Sequence, residues 1–143
     1  MKAIATSTWE GSWKKGDGTI STNSGILTSV PVSYSSRFEG TPGASPEELL
    51  AAAHAACYNQ ALANIAGKNN FETETIHTTV EVELGFDENN GNPEIKSLHF
   101  TVASKIPGAT EGQLADFAEK ARVGCTISKI IKLETTVSPS LIS

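Results

Sequence analysis

Residues 40–67 read GTPGASPEELLAAAHAACYNQALANIAG, and how this stretch folds decides the rest. Ser45 with Glu48 three residues later is a capping-box pattern, and Pro46 stands where a first helical residue belongs. Gly67 supplies a stop. Between these signals the apolar residues fall on nearly every side of a 3.6-residue turn, which predicts a helix buried in the protein rather than laid on its surface. Its many alanines let backbones approach closely, either those of a sheet or those of a second subunit. In LLAAAHAACYN (49–59), nine of the eleven residues are apolar, alanine or aromatic, counting Cys57. A thiol in that setting is either inert filler or a reactive sulfur that an apolar molecule can approach.

Strand signals lie on both sides of this helix. The first 35 residues are rich in Thr, Ser and Val, with turn signals at KKGDG (14–18) and TNSG (22–25), and they end in the alternating VPVSY. Asp17-Gly18 suits a tight hairpin turn because both favour positive φ. Trp9 and Trp13 are expected to cover one edge of this sheet, with ligand stacking as the second reading. After the helix, TIHTTVEVELGF places Ile76, Val80, Val82, Leu84 and Phe86 on one face and His77, Thr79, Glu81 and Glu83 on the other. DENNGN turns the chain, and IKSLHFTVASKI returns with Leu98, Phe100, Val102 and Ile106 facing one way, giving a long hairpin with one wet side. Thr110 and Gln113 form a second capping box, opening a helix with Leu114, Phe117, Ala118 and Ala121 at helical spacing and Gly124 at its end. CTISKIIK predicts one or two further helical turns, and LETTVS a closing strand. The fold class is α+β, antiparallel strands curled around a buried central helix, in one domain over residues 1–143.

Composition excludes several functions. A chain of 143 residues buries a core without staples, and 38% hydrophobic with 19% charged residues is ordinary globular material. The net charge of −5 argues against nucleic-acid binding, which needs a basic surface to release counterions. No apolar run approaches a membrane span. The start, MKAIATSTWEGSWKKGD, has no apolar signal core, so a cytoplasmic location is expected. In reducing cytosol two cysteines are catalytic, redox-active or metal-binding, or else buried and inert, rather than a permanent disulfide.

The candidate chemical groups are few. Cys125, just past Gly124 where a new helix is expected to start, would gain from free N–H groups and the positive dipole end, so electrostatics alone favours it over Cys57 as nucleophile. Cys57 needs a cation from elsewhere. Arg37 in SSRFEG, read at the end of a strand, is the best candidate; its bland alternative is a surface pair with Glu39. Glu47 has reason enough to exist in the helix dipole. An unbroken helix separates the backbones of Glu47 and Cys57 by roughly 15 Å, within about 80° around the axis, so direct contact is implausible. An arginine or a helix from a second chain could bridge the gap. His54 and Cys57, three apart, make half a zinc site at most, with only His77, His99 and Cys125 left to complete it. No nucleophile-elbow motif supports a serine hydrolase.

The segment RFEGTPGASPEELLAAAHAACYNQAL resembles the signature of the osmotically inducible protein C / organic hydroperoxide resistance (OsmC/Ohr) family, closer to the first branch. The resemblance extends through WEG near the start, VGCTIS around Cys125 and the closing strand. It implies a thiol peroxidase acting on organic hydroperoxides, in which Cys57 attacks, Cys125 resolves, and Arg37 and Glu47 complete the site. It also implies an intertwined homodimer with sites at the subunit interface, no cofactor or metal, and a dithiol reductant such as a lipoyl group. Defence against oxidative or osmotic stress is the role it suggests. Thr126 departs from the proline that the family commonly carries after the second cysteine, which bears on mobility around Cys125.

The expected cycle follows. Arg37, oriented by Glu47, stabilises the Cys57 thiolate; Cys57 takes the terminal peroxide oxygen as sulfenic acid; and Cys125 condenses with it to a disulfide that the dithiol reopens. Apolar surroundings would favour an alkyl or aryl hydroperoxide over hydrogen peroxide. The rival from another class is a redox-inactive protein that holds an apolar ligand in the same cleft.

Overall fold

In the computed structural model, which describes residues 1–143, the Thr- and Ser-rich start forms strands β1 (Ala5–Glu10), β2 (Asp17–Thr22) and β3 (Val30–Ser33). They pair antiparallel in the order β1-β2-β3. Asp17 and Gly18 are paired with Glu10 and Trp9, so they begin β2 rather than making its turn. Gly18 is there for close approach instead: a Cβ would lie 2.6 Å from the Thr8 carbonyl oxygen and 2.8 Å from the Trp9 ring. The second reversal follows TNSG as expected, with Gly25 at φ +80 and the Leu27 N–H donating to Thr22 Oγ1 at 3.0 Å.

VPVSY does not stay extended to its end. Ser33 caps a short helix α1 (Tyr34–Phe38), accepting the Ser36 N–H at 3.0 Å, while Ser36 Oγ accepts the Ser33 N–H at 2.8 Å. Arg37 therefore sits on a helix, not at a strand end, because two serines offered the backbone a cap. Ser36 Oγ also donates to the Ala44 carbonyl at 2.8 Å, and the Ala44 N–H donates to the Pro31 carbonyl at 2.8 Å. The loop can lie this close only because Gly43, at φ +137, has no Cβ; one would stand 2.9 Å from Ser36 Cβ.

The long helix α2 spans Pro46–Lys68. Ser45 Oγ accepts the Glu48 N–H at 3.0 Å, as the capping pattern predicts. Gly67 does not stop the helix. Asn70 does, at φ +63, with the Asn70 N–H bonded to the Gly67 carbonyl and the Phe71 N–H to the Ala66 carbonyl, both at 3.0 Å. These two bonds make a Schellman end, which asparagine tolerates almost as glycine does. The chain forms two compact units, Met1–Leu49 and Leu50–Ser143, each with its own three-stranded sheet.

The second unit contains β4 (Thr75–Phe86), β5 (Pro93–Lys105), α3 (Glu111–Gly124), a short 3-10 turn (Ser128–Ile130) and β6 (Thr135–Leu141), with strand order β4-β5-β6. Leu98, Phe100, Val102 and Ile106 are buried as the alternation predicts. Phe86 departs from the Ile76–Leu84 face and is exposed: a register shift between Glu83 and Leu84 interrupts the period of two. β6 pairs with β5 in parallel, so the sheet is mixed rather than wholly antiparallel. The crossover through α3 permits this, since parallel neighbours need a long connection.

Thr110 and Gln113 cap α3 reciprocally, and Leu114, Phe117, Ala118 and Ala121 are its buried face. Leu114, Phe117 and Ala121 meet Tyr58, Leu62 and Ala66 of α2, Phe100 and Val102 of β5, and Ile106 just beyond it in one core. Each large apolar side chain buried here contributes roughly 1.5–3 kcal/mol. His54, Tyr58, Leu62 and Ala66, four apart, form the buried stripe of α2, whereas Ala52, Ala53 and Ala56 are exposed. Within one chain, then, α2 is not buried on every face: alanine is apolar but too short to need cover. No helix is long and apolar enough to cross a membrane.

Candidate functional site

In the first unit, the loop held by Ser36 and Gly43 brings the start of α2 beside α1. There Arg37 Nη2 donates to Glu47 Oε1 at 2.6 Å, and Nε donates to Oε1 and Oε2 at 3.1 and 3.2 Å. The surface pair with Glu39 considered for Arg37 gives way to this one. Glu47 is 9% exposed at its side chain and Arg37 is 32% exposed, so the carboxylate is the inner, fixed partner. Because its bonds run through Nε and Nη2, the guanidinium plane is set, and Nη1 takes no part in the pair with Glu47.

Arg37 borders an apolar cleft of about 460 Å³, lined chiefly by Trp9, Trp13, Ile20, Tyr34 and Phe38. Trp13 meets Tyr34 and Phe38 edge-on, with centroids 5.3 and 6.3 Å apart. Both tryptophans thus form a wall beside a cation instead of merely covering a sheet edge. The volume falls in the usual range of small-molecule sites, about 300–1,000 Å³.

In the second unit, Cys57 and Cys125 border one cleft of about 350 Å³, together with Gln60, Ala61, Asn64, Gly124 and Thr126. Both thiols are free; Cys57 is half-buried and Cys125 is buried. The lining is largely polar, which corrects the expectation of an alanine-walled approach: Ala61 is the one alanine among its lining residues. Cys125 does not begin a helix. It is the C-cap of α3, its N–H bonded to the Ala121 carbonyl at 3.0 Å, and only three residues of 3-10 helix follow. The dipole argument for Cys125 fails for that reason, since it occupies the negative end of α3. The Ser128 N–H nonetheless reaches its sulfur at 3.3 Å.

His54 is fully buried, edge-on to Phe100 at 4.7 Å, and its Nε2 is 2.8 Å from Ser128 Oγ. Burial holds its imidazole below the usual range. Tyr58 donates to the Ala118 carbonyl at 3.0 Å, and burial, then the negative charges of Glu119 and Cys125, push its phenol well above the ordinary value. No three His, Cys, Asp or Glu side chains gather where they could hold a metal ion, and His54 Nε2 is taken by Ser128.

The four residues singled out in the sequence therefore fall into two observed pairs, Arg37 with Glu47 and Cys57 with Cys125. Sequence reasoning missed Ser128. Its spacing of three from Cys125 was a usable signal, but its contact with His54, 74 positions away, was not.

Fold and clefts together define a class: an α+β protein with two free thiols sharing one opening. The chain belongs to the OsmC-like protein family, whose sequence model matches residues 38–140. It is 38% identical over 133 residues to peroxiredoxin OsmC of Escherichia coli (strain K12), covering 93% of this chain and 92% of that protein. It is 35% identical over 78 residues to the organic hydroperoxide resistance protein OhrB of Bacillus subtilis (strain 168), covering 54% of this chain and 57% of that one. The crystal structure of OhrB of Bacillus subtilis superposes with a TM-score of 0.73 at 25% identity, over 97% of this chain and 98% of that one.

Proposed function

We propose that this protein is a thiol-dependent peroxidase that reduces organic hydroperoxides to alcohols in the cytoplasm, in defence against oxidative or osmotic stress. The observation that carries the reading is the cleft shared by two free thiols, one accessible and one buried. The Cys57 thiolate attacks the terminal peroxide oxygen, the O–O bond breaks, and the alkoxide leaves as alcohol after taking a proton. Cys57 is left as sulfenic acid. Cys125 then forms the S–S bond as the sulfenic oxygen departs as water, and an external dithiol, of lipoyl type or similar, reduces the disulfide by exchange.

Arg37, held by Glu47, is assigned to stabilise the Cys57 thiolate and polarise the peroxide. The fixed guanidinium supports that assignment. The aromatic cleft beside Arg37 supports an organic rather than inorganic peroxide, because its walls gain from burying an apolar body. A homodimer is supported by the exposed alanines of α2, against which a second backbone can pack closely.

Cys57→Ser should abolish turnover of cumene hydroperoxide with a dithiol reductant. Cys125→Ser should reduce one equivalent and leave trappable sulfenate on Cys57. Normal turnover by Cys57→Ser would remove it as the attacking residue. The aromatic cleft also favours a second reading, a redox-inactive protein holding an apolar ligand; both thiols unmodified after one equivalent of organic peroxide would select it.

A further inference from the structure

A buried histidine and a serine converge on the buried thiol, and neither is used by the steps above. Ser128 Oγ lies 2.8 Å from His54 Nε2 and 3.0 Å from Cys125 Sγ, and the Ser128 N–H lies 3.3 Å from the same sulfur. We propose that His54 and Ser128 are positioning residues for the resolving half of the cycle, forming a directed chain of donors, His54 Nε2–H to Ser128 Oγ–H to Cys125 Sγ, that stabilises the thiolate from which Cys125 attacks. This rests on the peroxidase reading and extends it to residues outside the two pairs.

The direction follows from counting hydrogens. His54 Nδ1 is buried with no partner. An orphaned buried N–H is the rarer defect, so the imidazole hydrogen is assigned to Nε2, leaving Nδ1 as a bare lone pair. Nε2–H then occupies Ser128 Oγ as donor. The single hydroxyl hydrogen of Ser128 must point the other way, to the sulfur. Adding the Ser128 N–H, the sulfur receives two donors from one residue, a set that suits an anion better than a neutral thiol.

The other titratable groups around this chain leave it in charge of the sulfur. On α2, Tyr58 spends its hydroxyl on the Ala118 carbonyl, and Cys57 lies across the shared cleft. On α3, Glu119 and Arg122 neutralise each other, with Glu134 adding to the field on Arg122. On β5, His99 is engaged by Thr136 and Ser138. Lys129 on the 3-10 turn is exposed. His54 itself stays uncharged near neutrality, because burial disfavours the imidazolium. It therefore acts as a fixed donor and not as a base.

In the step itself, Cys125 loses its proton to solvent and its sulfur attacks the Cys57 sulfenic sulfur. The S–S bond forms, the S–O bond breaks, and the departing hydroxide takes up a proton to become water. Cys125 is oxidised, Cys57 falls from the sulfenic to the disulfide level, and no net proton is released.

The test begins with no peroxide present. In Cys57→Ser the one remaining thiol is Cys125, and its ionisation is followed by thiolate ultraviolet absorbance against pH. Adding Ser128→Ala should raise the midpoint by about one to two pH units, the worth of one hydrogen bond to a charged group. Ser128→Thr and His54→Gln, which keep the donors, should leave the midpoint in place. His54→Leu should raise it by a smaller amount, and reports the effect should Ser128→Ala fail to fold. In the chain with both cysteines, Ser128→Ala should lower the rate of disulfide closure relative to consumption of the first peroxide equivalent by about 10- to 100-fold. Its closure profile should also shift to higher pH. An unmoved midpoint in Ser128→Ala, or equal shifts in Ser128→Ala and Ser128→Thr, would overturn the donor chain. Should the unmutated protein consume no hydroperoxide, the peroxidase reading fails, while the titration still judges the donor chain by itself.

Discussion

Removing either partner of the Arg37–Glu47 pair should destabilise the protein, but not equally. Arg37→Ala strands a carboxylate whose side chain is 9% exposed, whereas Glu47→Ala strands a guanidinium that is 32% exposed and can be rehydrated. Breaking a fully buried pair from one side costs about 3–5 kcal/mol. Water entering the volume vacated by the arginine lowers this to about 2–3 kcal/mol for Arg37→Ala. Glu47→Ala loses charge-assisted bonds but leaves a solvated cation, at about 1–2 kcal/mol. The double variant should cost less than the sum by about 1 kcal/mol or more, since its second substitution removes the stranded charge. Urea unfolding at neutral pH, with unchanged slope in all four proteins, measures the cycle. A larger loss for Glu47→Ala than for Arg37→Ala, or additivity within about 0.5 kcal/mol, would refute the assignment of Glu47 as the inner partner.

The remaining expectations concern the second unit. The unfolded chain protonates His54 near pH 6.5, the folded one only at lower pH, so stability is full above about 6.5 and falls as pH drops below it. Thermal melts should show that fall in the parent protein and a flatter profile in His54→Gln. For Tyr58 the sign reverses: the unfolded phenol ionises near pH 10 and the folded one does not, so stability declines as pH rises above about 10. Tyr58→Phe should remove that decline and cost about 1 kcal/mol at neutral pH by removing one hydrogen bond to the Ala118 carbonyl, measured by urea unfolding. Asn70→Ala should cost about 1 kcal/mol at φ +63, whereas Asn70→Gly should be neutral or slightly stabilising by the same measurement.

Elements written in a local code were legible in the sequence. Thr110 and Gln113 predict the start of α3, its buried face was named residue by residue, and β4 and β5 keep their alternation up to the shift before Leu84. Readings failed where one residue type serves two purposes. Gly18 was read as a turn residue, yet its missing side chain makes room for Trp9. Gly67 was read as a stop, yet Asn70 supplies the left-handed residue. Ser33 and Ser36 look like strand residues until their hydroxyls cap α1 and move Arg37 onto a helix.

By itself the sequence determined the α+β class, the long helix carrying Cys57, the two thiols, and Arg37 with Glu47 as the charged candidates. Periodicity, caps and composition act over a few residues and leave their mark in the order of the chain. Only the tertiary structure decided that Arg37 closes on Glu47, that Cys57 and Cys125 open on one polar cleft, and that β6 runs parallel to β5. It alone brought Ser128 between His54 and Cys125. Such contacts join side chains far apart in sequence, and their geometry is set by how helices and sheet pack, which no local pattern encodes.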